Sequence, residues 1–215
     1  MSDPRAFVLE NTRLQRPPHT PEIALHLADE VTPLWRLTEE RLGELGLPPP
    51  FWAFAWAGGQ ALARYVLDHP DVVAGRRVLD FATGSGLVAI AAMKAGAASA
   101  RGCDIDGVCA AAVALNAQAN DVQVAFTCAD LLDGPPPREA QVILAGDICY
   151  ERPVAERVEA WLRTAQAGGA TVLIGDPGRT YLPHARLQRL AEYQVQTTRE
   201  LEDQEVKRTA VYALA

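Results

Sequence analysis

The sequence predicts a doubly wound α/β domain, in which a mostly parallel seven-stranded sheet has helices on both faces and a C-terminal antiparallel hairpin. Short apolar runs alternate with helical segments, which is typical of a parallel sheet joined by crossover helices. The predicted strands are almost continuously apolar, as strands buried on both faces are. The last two, over 193–201 and 205–213, are separated by a short polar turn and should therefore pair as an antiparallel hairpin.

The elements follow from the same patterns. Strands are predicted over 76–82, 98–106, 122–130, 140–148 and 170–176. Helices are predicted over 59–69, 87–96, 108–120, 154–166 and 184–191. Within the helix over 108–120, we expect Asn116 and Asn120 at surface or capping positions.

Residues 1–50 are expected to form an N-terminal helical accessory segment, and residues 51–215 the α/β domain. Residues 1–19 look irregular, whereas residues 21–45 look like one or two helices broken near Pro33. About fifty residues are marginal for a separate core, so the segment should not be an independent domain.

The composition excludes several classes of protein. Of the 215 residues, 49% are hydrophobic and 22% are charged, which excludes wholesale disorder. The net charge of -7 argues against broad nucleic-acid binding, which needs Lys and Arg to meet phosphates. Without an apolar stretch of about 18 residues or a basic-then-apolar leader, we expect a cytoplasmic protein that does not span a membrane. We also expect a monomer.

The cysteines and histidines do not predict a metal site. The four cysteines contain no C-x-x-C pair and are expected to be buried free thiols: Cys103, Cys109, Cys128 and Cys149. The four histidines lack metal-ligand spacing, so no metal is expected.

A glycine-rich turn after a strand is the most informative element. Asp80-Phe-Ala-Thr-Gly84-Ser-Gly86 joins the strand over 76–82 to an Ala-rich helix. Ligands bind at the carboxyl ends of parallel strands, and glycines allow the backbone to approach them closely. We therefore predict a cofactor site at this turn, with these residues: Asp80, Ala82, Thr83, Gly84 and Gly86.

Two cofactors compete for this turn. Its Gly84-Ser-Gly86-Leu-Val-Ala89 segment matches the G-x-G-x-x-A pattern of a dinucleotide site. Asp80, however, would repel a pyrophosphate, whereas it can balance a cationic methionine moiety. Five βα units followed by a strand pair are also the outline of the Rossmann-like class I methyltransferase fold. The sequence favours S-adenosyl-L-methionine, with a dinucleotide or a purely structural turn as the alternatives.

Further acids follow the next two strands. Asp104 ends the second strand, where an acid can accept hydrogen bonds from ribose hydroxyls, and Ile105 follows it in the predicted site. Asp130 follows the third strand and is placed to accept from the adenine amine, with Leu131 against the ring. The alternative for Asp130 is a loop or capping aspartate. Asp106 is expected to cap the next helix.

The fourth strand ends in Gly146-Asp147-Ile-Cys-Tyr150-Glu151. In a class I methyltransferase, this end lies beside the transferable methyl group. Methyltransferases of nucleobase amines often have Asn/Asp-Pro-Pro-aromatic here, and its absence argues against a nucleobase substrate. Asp147, Tyr150 and Glu151 are the candidate catalytic residues, and Asp147 is also a candidate cofactor contact.

Three specific blocks, together with the more general Asp80 glycine turn, carry a resemblance to a known family. The three blocks are Phe51-Trp-Ala-Phe-Ala-Trp56-Ala-Gly-Gly-Gln60-Ala-Leu, Asp147-x-x-Tyr150-Glu151 and Asp176-Pro-Gly-Arg179. From about residue 14 onwards, the chain resembles the lysine methyltransferases of the electron transfer flavoprotein beta subunit. These are seven-strand protein methyltransferases with an Asp-x-x-Tyr motif. Ala82, where glycine is common, and Ala57, where proline is common, depart from the family pattern.

The resemblance implies methyl transfer from S-adenosylmethionine to lysines of the flavoprotein subunit. It also implies that Trp56, Gly59 and Gln60 belong to the cofactor site. A lysine amine must react uncharged, and a nearby carboxylate favours its charged form. Asp147 is therefore assigned to gripping and orienting the amine rather than to strong base catalysis, and Tyr150 to shaping the lysine channel.

Several assignments stay open. Trp52 and Trp56 either face the lysine and the cofactor or pack the N-terminal segment onto the sheet. Arg179 either contacts the Asp147 region or an acidic partner, or lies on the surface. An acidic run is either a solvated hairpin tip or a docking surface for a basic patch: Glu200, Glu202, Asp203 and Glu205.

Other functions also stay open. They are a small-molecule, nicotinamide-like N-methyltransferase, a methyltransferase of a ribosomal or other basic protein, a non-catalytic cofactor-binding module and a dinucleotide oxidoreductase. A protein substrate requires a shallow, open site, whereas a small-molecule substrate should come with a closed pocket.

Overall fold

A computed structural model describes residues 3–29, 34, 49–197 and 205–215. The helices are α1 (Pro4–Asn11), α2 (Ala57–Asp68), α3 (Leu87–Lys94), α4 (Cys109–Ala119) and α5 (Arg152–Ala167). A small antiparallel ribbon contains β1 (Arg13–Gln15) and β2 (Leu25–Leu27). The main sheet contains β3 (Arg77–Phe81), β4 (Ser99–Asp104), β5 (Ala125–Cys128), β6 (Val142–Gly146), β7 (Thr171–Asp176), β8 (Leu187–Gln196) and β9 (Val206–Leu214).

The main sheet confirms the predicted fold class. Its strand order is β5-β4-β3-β6-β7-β9-β8. The first five strands are parallel, and β9 is antiparallel to both β7 and β8. Consecutive residues of the central strands face two different cores: Leu144 packs with α2 and α3, and Ile143 packs with α5. Helices therefore cover both faces, as the apolar strands predicted.

The N-terminal segment differs from the prediction. Residues 4–11, expected to be irregular, form α1, and Asp3 accepts a hydrogen bond from the Arg5 amide at its start. Residues 21–29, expected to be helical, form turns and strand β2. The remainder of the helical prediction over 21–45 lies outside the described residues, except for the buried Leu34.

Two asparagines of α4 explain why this segment is extended. The Ala24 amide donates to Asn120 Oδ1 at 3.0 Å, and Asn120 Nδ2 donates back to the Ala24 carbonyl at 2.6 Å. The His26 amide donates to Asn116 Oδ1 at 2.7 Å. These bonds replace those that a helix would supply, and both asparagines are buried. The prediction is therefore correct for Asn120, which is the C-cap residue of α4, and wrong for Asn116, which lies buried within the helix.

The predicted helix over 184–191 was also wrong. Only a 3-10 turn, His184–Arg186, precedes β8, which pairs with β9 from Leu187 to Gln196. Pairing with a neighbouring strand outweighs a local helical pattern, because helix propensity is a weak preference. Most of the acidic run between these strands lies outside the described residues.

The cysteine prediction is correct for three residues and wrong for one. Cys103, Cys109 and Cys149 are buried, whereas Cys128 is exposed where β5 ends at the sheet margin. Among the described residues, no helix is both long enough and apolar enough to cross a membrane.

Candidate active site

Four acidic residues lie at the carboxyl ends of four neighbouring parallel strands. Asp80 lies near the end of β3, Asp104 ends β4, Asp147 follows β6 and Asp176 ends β7. The chain order reverses between β3 and β6, which is the switch point where doubly wound sheets bind ligands. The sequence identified three of these acids as site residues, whereas Asp176 was noted only as part of a motif.

The glycine turn has a left-handed backbone at three positions. Ala82, Gly84 and Gly86 have φ values of 53°, 51° and 82°. Glycine adopts such angles freely, whereas alanine pays about 1–2 kcal/mol for them. The common glycine at position 82 therefore has a physical reason, and Ala82 is a strained departure. A Cβ on Gly86 would also lie only 3.2 Å from the Val113 side chain.

Asp80 braces this turn from inside. Its Oδ2 accepts hydrogen bonds from the Thr83 hydroxyl at 2.6 Å and from the Ala89 amide at 2.9 Å. Burial, opposed by these two bonds, raises the pKa of Asp80 to about 7. The Asp80 carboxyl group thus holds the turn through two uncharged donors, a hydroxyl and a backbone amide.

Asp104 links the second strand to the same turn. Its Oδ2 accepts from the Gly84 amide at 2.9 Å, and its Oδ1 from the Asp106 amide at 3.1 Å. Ile105 is 74% exposed beside it. Asp106 accepts from the Val108 amide in the loop before α4, but the N-cap of α4 is Val108 without a side-chain hydrogen bond, so the predicted capping role of Asp106 was wrong. Asp104 therefore fixes the turn while its half-exposed carboxylate keeps further acceptor capacity.

Asp130 occupies a capping position. Its Oδ1 accepts from the Leu132 amide at 2.9 Å and caps the 3-10 turn Leu131–Asp133. Its Oδ2 lies 3.5 Å from the Arg157 guanidinium. The capping alternative is thus present, and the second oxygen faces the Arg157 guanidinium. Leu131 is half-buried against the core beneath α5.

Asp147 is held from two sides. Its backbone is left-handed, with a φ of 59°, a conformation that aspartate tolerates better than most residues. Its Oδ2 accepts from the Gly58 amide at 2.8 Å, in the first turn of α2. Its Oδ1 accepts from Arg179 Nε at 2.6 Å. The positive end of a helix and a guanidinium therefore both stabilise this carboxylate.

Close backbone packing places α2 against this carboxylate. A Cβ on Gly58 would collide with the Gly175 carbonyl, and a Cβ on Gly146 would lie 2.9 Å from the Gly59 Cα. Glycines of α2, β6 and β7 thus let helix and strands meet without side chains between them. Gly59 was predicted as a site residue, whereas Gly58, Gly146 and Gly175 were not. For Gly58, the Gly-Gly pair at the start of a helix was the available signal.

The aromatic residues separate into buried and exposed groups. Trp52 is buried, and its ring lies edge-on to Phe7, so it packs the N-terminal segment. The Trp56 indole donates to the Phe51 carbonyl at 2.9 Å. Phe51 and Tyr150 are 46% and 48% exposed, with ring centroids 5.7 Å apart. Burial and, secondarily, Glu151 raise the pKa of Tyr150, so its hydroxyl stays protonated near neutral pH.

The described residues fit S-adenosylmethionine. Gly84 and Gly86 present a turn without Cβ atoms, and Asp104 offers a half-exposed acceptor. Gln60 donates to the Ala55 carbonyl, while its Oε1 is buried without a partner among the described residues. Such acceptors suit a ligand that has hydroxyl and amino donors and a cationic centre.

Known proteins share both the fold and the sequence. The family described as ribosomal protein L11 methyltransferase (PrmA) matches residues 60–176. The solved structure of magnesium protoporphyrin IX methyltransferase from Synechocystis PCC 6803, with bound cofactor, superposes with a TM-score of 0.52 at 16% identity. That alignment covers 73% of this chain and 78% of the other, and it supports the fold.

Fold and site define a class I S-adenosyl-L-methionine-dependent methyltransferase. The electron transfer flavoprotein beta subunit lysine methyltransferase of Danio rerio is 38% identical, over 90% of this chain and 76% of its own length. The Xenopus laevis protein of the same name is 40% identical, over 88% and 78%. The chain belongs to the electron transfer flavoprotein beta subunit lysine methyltransferase family, which confirms the resemblance in the sequence.

Proposed function

We propose that this enzyme methylates lysine side chains of the electron transfer flavoprotein beta subunit. The observation that carries the proposal is the immobilised Asp147 carboxylate, which lies at the strand edge of the Asp-x-x-Tyr motif. The names of the Danio rerio and Xenopus laevis relatives support the choice of substrate. The exposed side chains of Phe51 and Tyr150 support an open site that a folded protein can reach.

Each side chain of the acceptor side has a proposed role. Asp147 holds and orients the lysine amine, because its fixed oxygens can accept from an N–H group. Tyr150 and Phe51 flank the aliphatic stem of the lysine. Glu151, exposed at the start of α5, faces the basic surroundings of a lysine on a protein.

The cofactor supplies a methyl group activated by a sulfonium. We propose that the glycine turn and Asp80 bind its methionine part, Asp104 its ribose and Asp130 its adenine. The complete proposed cofactor set is Trp56, Gly59, Gln60, Asp80, Ala82, Thr83, Gly84, Gly86, Asp104, Ile105, Asp130, Leu131 and Asp147.

The N-terminal part has a supporting role in this proposal. Residues 1–50 are an accessory segment, and residues 51–215 the methyltransferase domain. The buried side chains of Ile23, Leu25 and Leu27 share one core with α2 and α3, so the segment does not rely on a core of its own. We also propose a monomeric, cytoplasmic enzyme, which size-exclusion chromatography and cell fractionation test.

A second candidate substrate is a ribosomal protein. The match of residues 60–176 to the ribosomal protein L11 methyltransferase family favours it. Purified L11 should therefore be assayed beside the flavoprotein subunit. We expect the flavoprotein to be preferred, because its methyltransferases align with about nine-tenths of the chain.

The test is transfer of a radiolabelled methyl group from S-adenosylmethionine to the purified flavoprotein beta subunit, with the lysine identified by mass spectrometry. Asp147→Ala runs in parallel, and Asp71→Asn, on the exposed turn Pro70–Val72 that precedes the start of β3, is the control. Label on lysine that Asp147→Ala removes and Asp71→Asn retains is the expected result. Cofactor binding without label on the flavoprotein would reject this substrate.

A further inference from the structure

A guanidinium already neutralises the carboxylate that is proposed to hold the substrate. Arg179 Nε donates to Asp147 Oδ1 at 2.6 Å. The Asp147 side chain is 6% exposed and that of Arg179 is 24% exposed, so water screens this pair less than a surface ion pair. An amine that reaches Asp147 therefore meets an ion pair rather than an isolated negative charge.

The turn after β7 fixes the position of Arg179. Asp176 Oδ1 accepts hydrogen bonds from the amides of Gly178 and Arg179, both at 2.7 Å. Gly178 has a φ of 84°, a left-handed value that glycine adopts without strain. The order Asp-Pro-Gly-Arg thus directs the arginine backbone so that its side chain reaches Asp147.

The chemistry of amine methylation gives this contact a purpose. The amine lone pair forms the new N–C bond while the S–C bond breaks and leaves its electron pair on sulfur. The methylated ammonium then releases a proton to water. Only an uncharged amine has the lone pair for this step, and an isolated carboxylate beside it would raise its pKa. A nearby cation opposes that effect.

We propose that Arg179 is a positioning residue for methyl transfer, which neutralises Asp147 and so allows the substrate amine to bind uncharged. This inference rests on the proposed function of Asp147 as the amine-holding group. Asp176 acts one step further away, because it fixes the backbone of Arg179.

Other titratable groups surround this pair and are shared by all variants compared below. They come from the loop after β6, from α5, from the ends of β4 and β7 and from β9: Cys149, Tyr150, Glu151, Glu159, Asp104, Asp176 and Tyr212. The first residues of α2, Ala57 to Gly59, contribute only backbone amides and no titratable side chain. A difference that appears on changing Arg179 alone is therefore assigned to its charge.

The test is the pH dependence of single-turnover methyl transfer to the flavoprotein beta subunit, at saturating cofactor and protein substrate. Three variants are compared with the wild type: Arg179→Gln removes the charge, Arg179→Lys keeps it, and Arg163→Gln removes an exposed charge on α5. Circular dichroism and calorimetric cofactor binding establish that each variant is folded.

We expect the rising limb of the Arg179→Gln profile to move to higher pH by about one unit, which is about tenfold in rate at a fixed pH on that limb. The rate should recover at alkaline pH. The profiles of Arg179→Lys and Arg163→Gln should keep the wild-type midpoint.

A uniformly slower Arg179→Gln with an unmoved midpoint would overturn the inference and leave a purely structural arginine. A displaced Arg179→Lys profile equal to that of Arg179→Gln would overturn it as well. If the wild type transfers no methyl group to this substrate at any pH, the proposed function fails, and the inference fails with it.

Discussion

The two halves of the strand edge hold their acids in different ways. On the β3–β4 half, Asp80 accepts from a hydroxyl and an amide, and burial raises its pKa. On the β6–β7 half, Asp147 accepts from the amide of Gly58 and the guanidinium of Arg179. The first half keeps a carboxyl group among neutral donors, which suits a cationic cofactor. In the second half, the positive charge of Arg179 balances the negative charge of Asp147, which suits a substrate amine that must stay uncharged.

The halves also use glycine differently. At Gly84 and Gly86, the requirement is a left-handed backbone, because both have positive φ. At Gly58, Gly146 and Gly175, the requirement is the absence of a Cβ, because helix and strands touch there. The glycines of the β3–β4 half thus allow a ligand to approach the backbone. Those of the β6–β7 half allow the backbone of α2 to contact the backbones of β6 and β7.

The sharpest test of this division is Asp147→Ala. We expect methyl transfer to fall by about a hundredfold or more, because the amine loses its holding group. Asp147 is only one contact of the proposed cofactor set, and the β3–β4 half is untouched, so cofactor affinity should change by less than about tenfold. Label transfer and calorimetry measure the two effects. Equal losses of cofactor binding and of transfer would contradict the division.

Asp104→Ala should show the opposite pattern. A hydrogen bond to a charged group contributes about 1.5–3 kcal/mol, so cofactor affinity should fall by about 10–100-fold. Transfer at saturating cofactor should stay close to the wild-type rate. Calorimetric titration with S-adenosylmethionine measures the affinity, and an unchanged affinity would remove Asp104 from the cofactor site.

Gly58→Ala tests the close packing of α2. The added Cβ meets the Gly175 carbonyl and the Asp147 amide, so we expect a loss of about 1–3 kcal/mol in the free energy of unfolding. Denaturant unfolding measures this loss. Gly134→Ala is the matched control, because a Cβ there meets no atom within 4 Å. Equal free energies of unfolding for the two variants would show that α2 can shift to accept the added Cβ without loss of stability.

Asp80→Asn tests the buried carboxyl group of the glycine turn through the pH dependence of the free energy of unfolding. Because the pKa of Asp80 is raised from 3.8 to about 7, the folded state retains a proton that the unfolded chain releases between those values. The contribution of Asp80 to stability therefore falls as pH rises from about 4 to about 7. The stability difference between wild type and variant should change by at most about 1.4 kcal/mol per pH unit. A difference that does not vary with pH would show that Asp80 is ionised throughout.

Much of the fold could be predicted because each parallel strand is evident from its own short segment of sequence. Runs such as 140–148 and 170–176 are apolar and bounded by turn residues, and both contain strands at the predicted places. The N-terminal segment could not be predicted, because its extended backbone depends on Asn116 and Asn120, about ninety residues away. Strand β8 depends likewise on its pairing with β9.

The site shows the same limit. Asp80, Asp104 and Asp147 could be found because each follows an apolar strand, and such strand ends converge. The Arg179–Asp147 contact stayed one of several alternatives, since their 32-residue separation carries no geometric information. Gly175 was missed because the sequence of an apolar strand does not distinguish a glycine that contacts a helix from one that does not.

The measurement that tests the account most directly is single-turnover methyl transfer to the flavoprotein beta subunit from enzyme saturated with S-adenosylmethionine. Asp104→Ala and Asp147→Ala are compared with the wild type under these conditions. The account predicts that saturation restores transfer by Asp104→Ala but leaves Asp147→Ala at least about a hundredfold slower. Restoration of both variants, or of Asp147→Ala alone, would contradict the assignment of the two halves to cofactor and substrate.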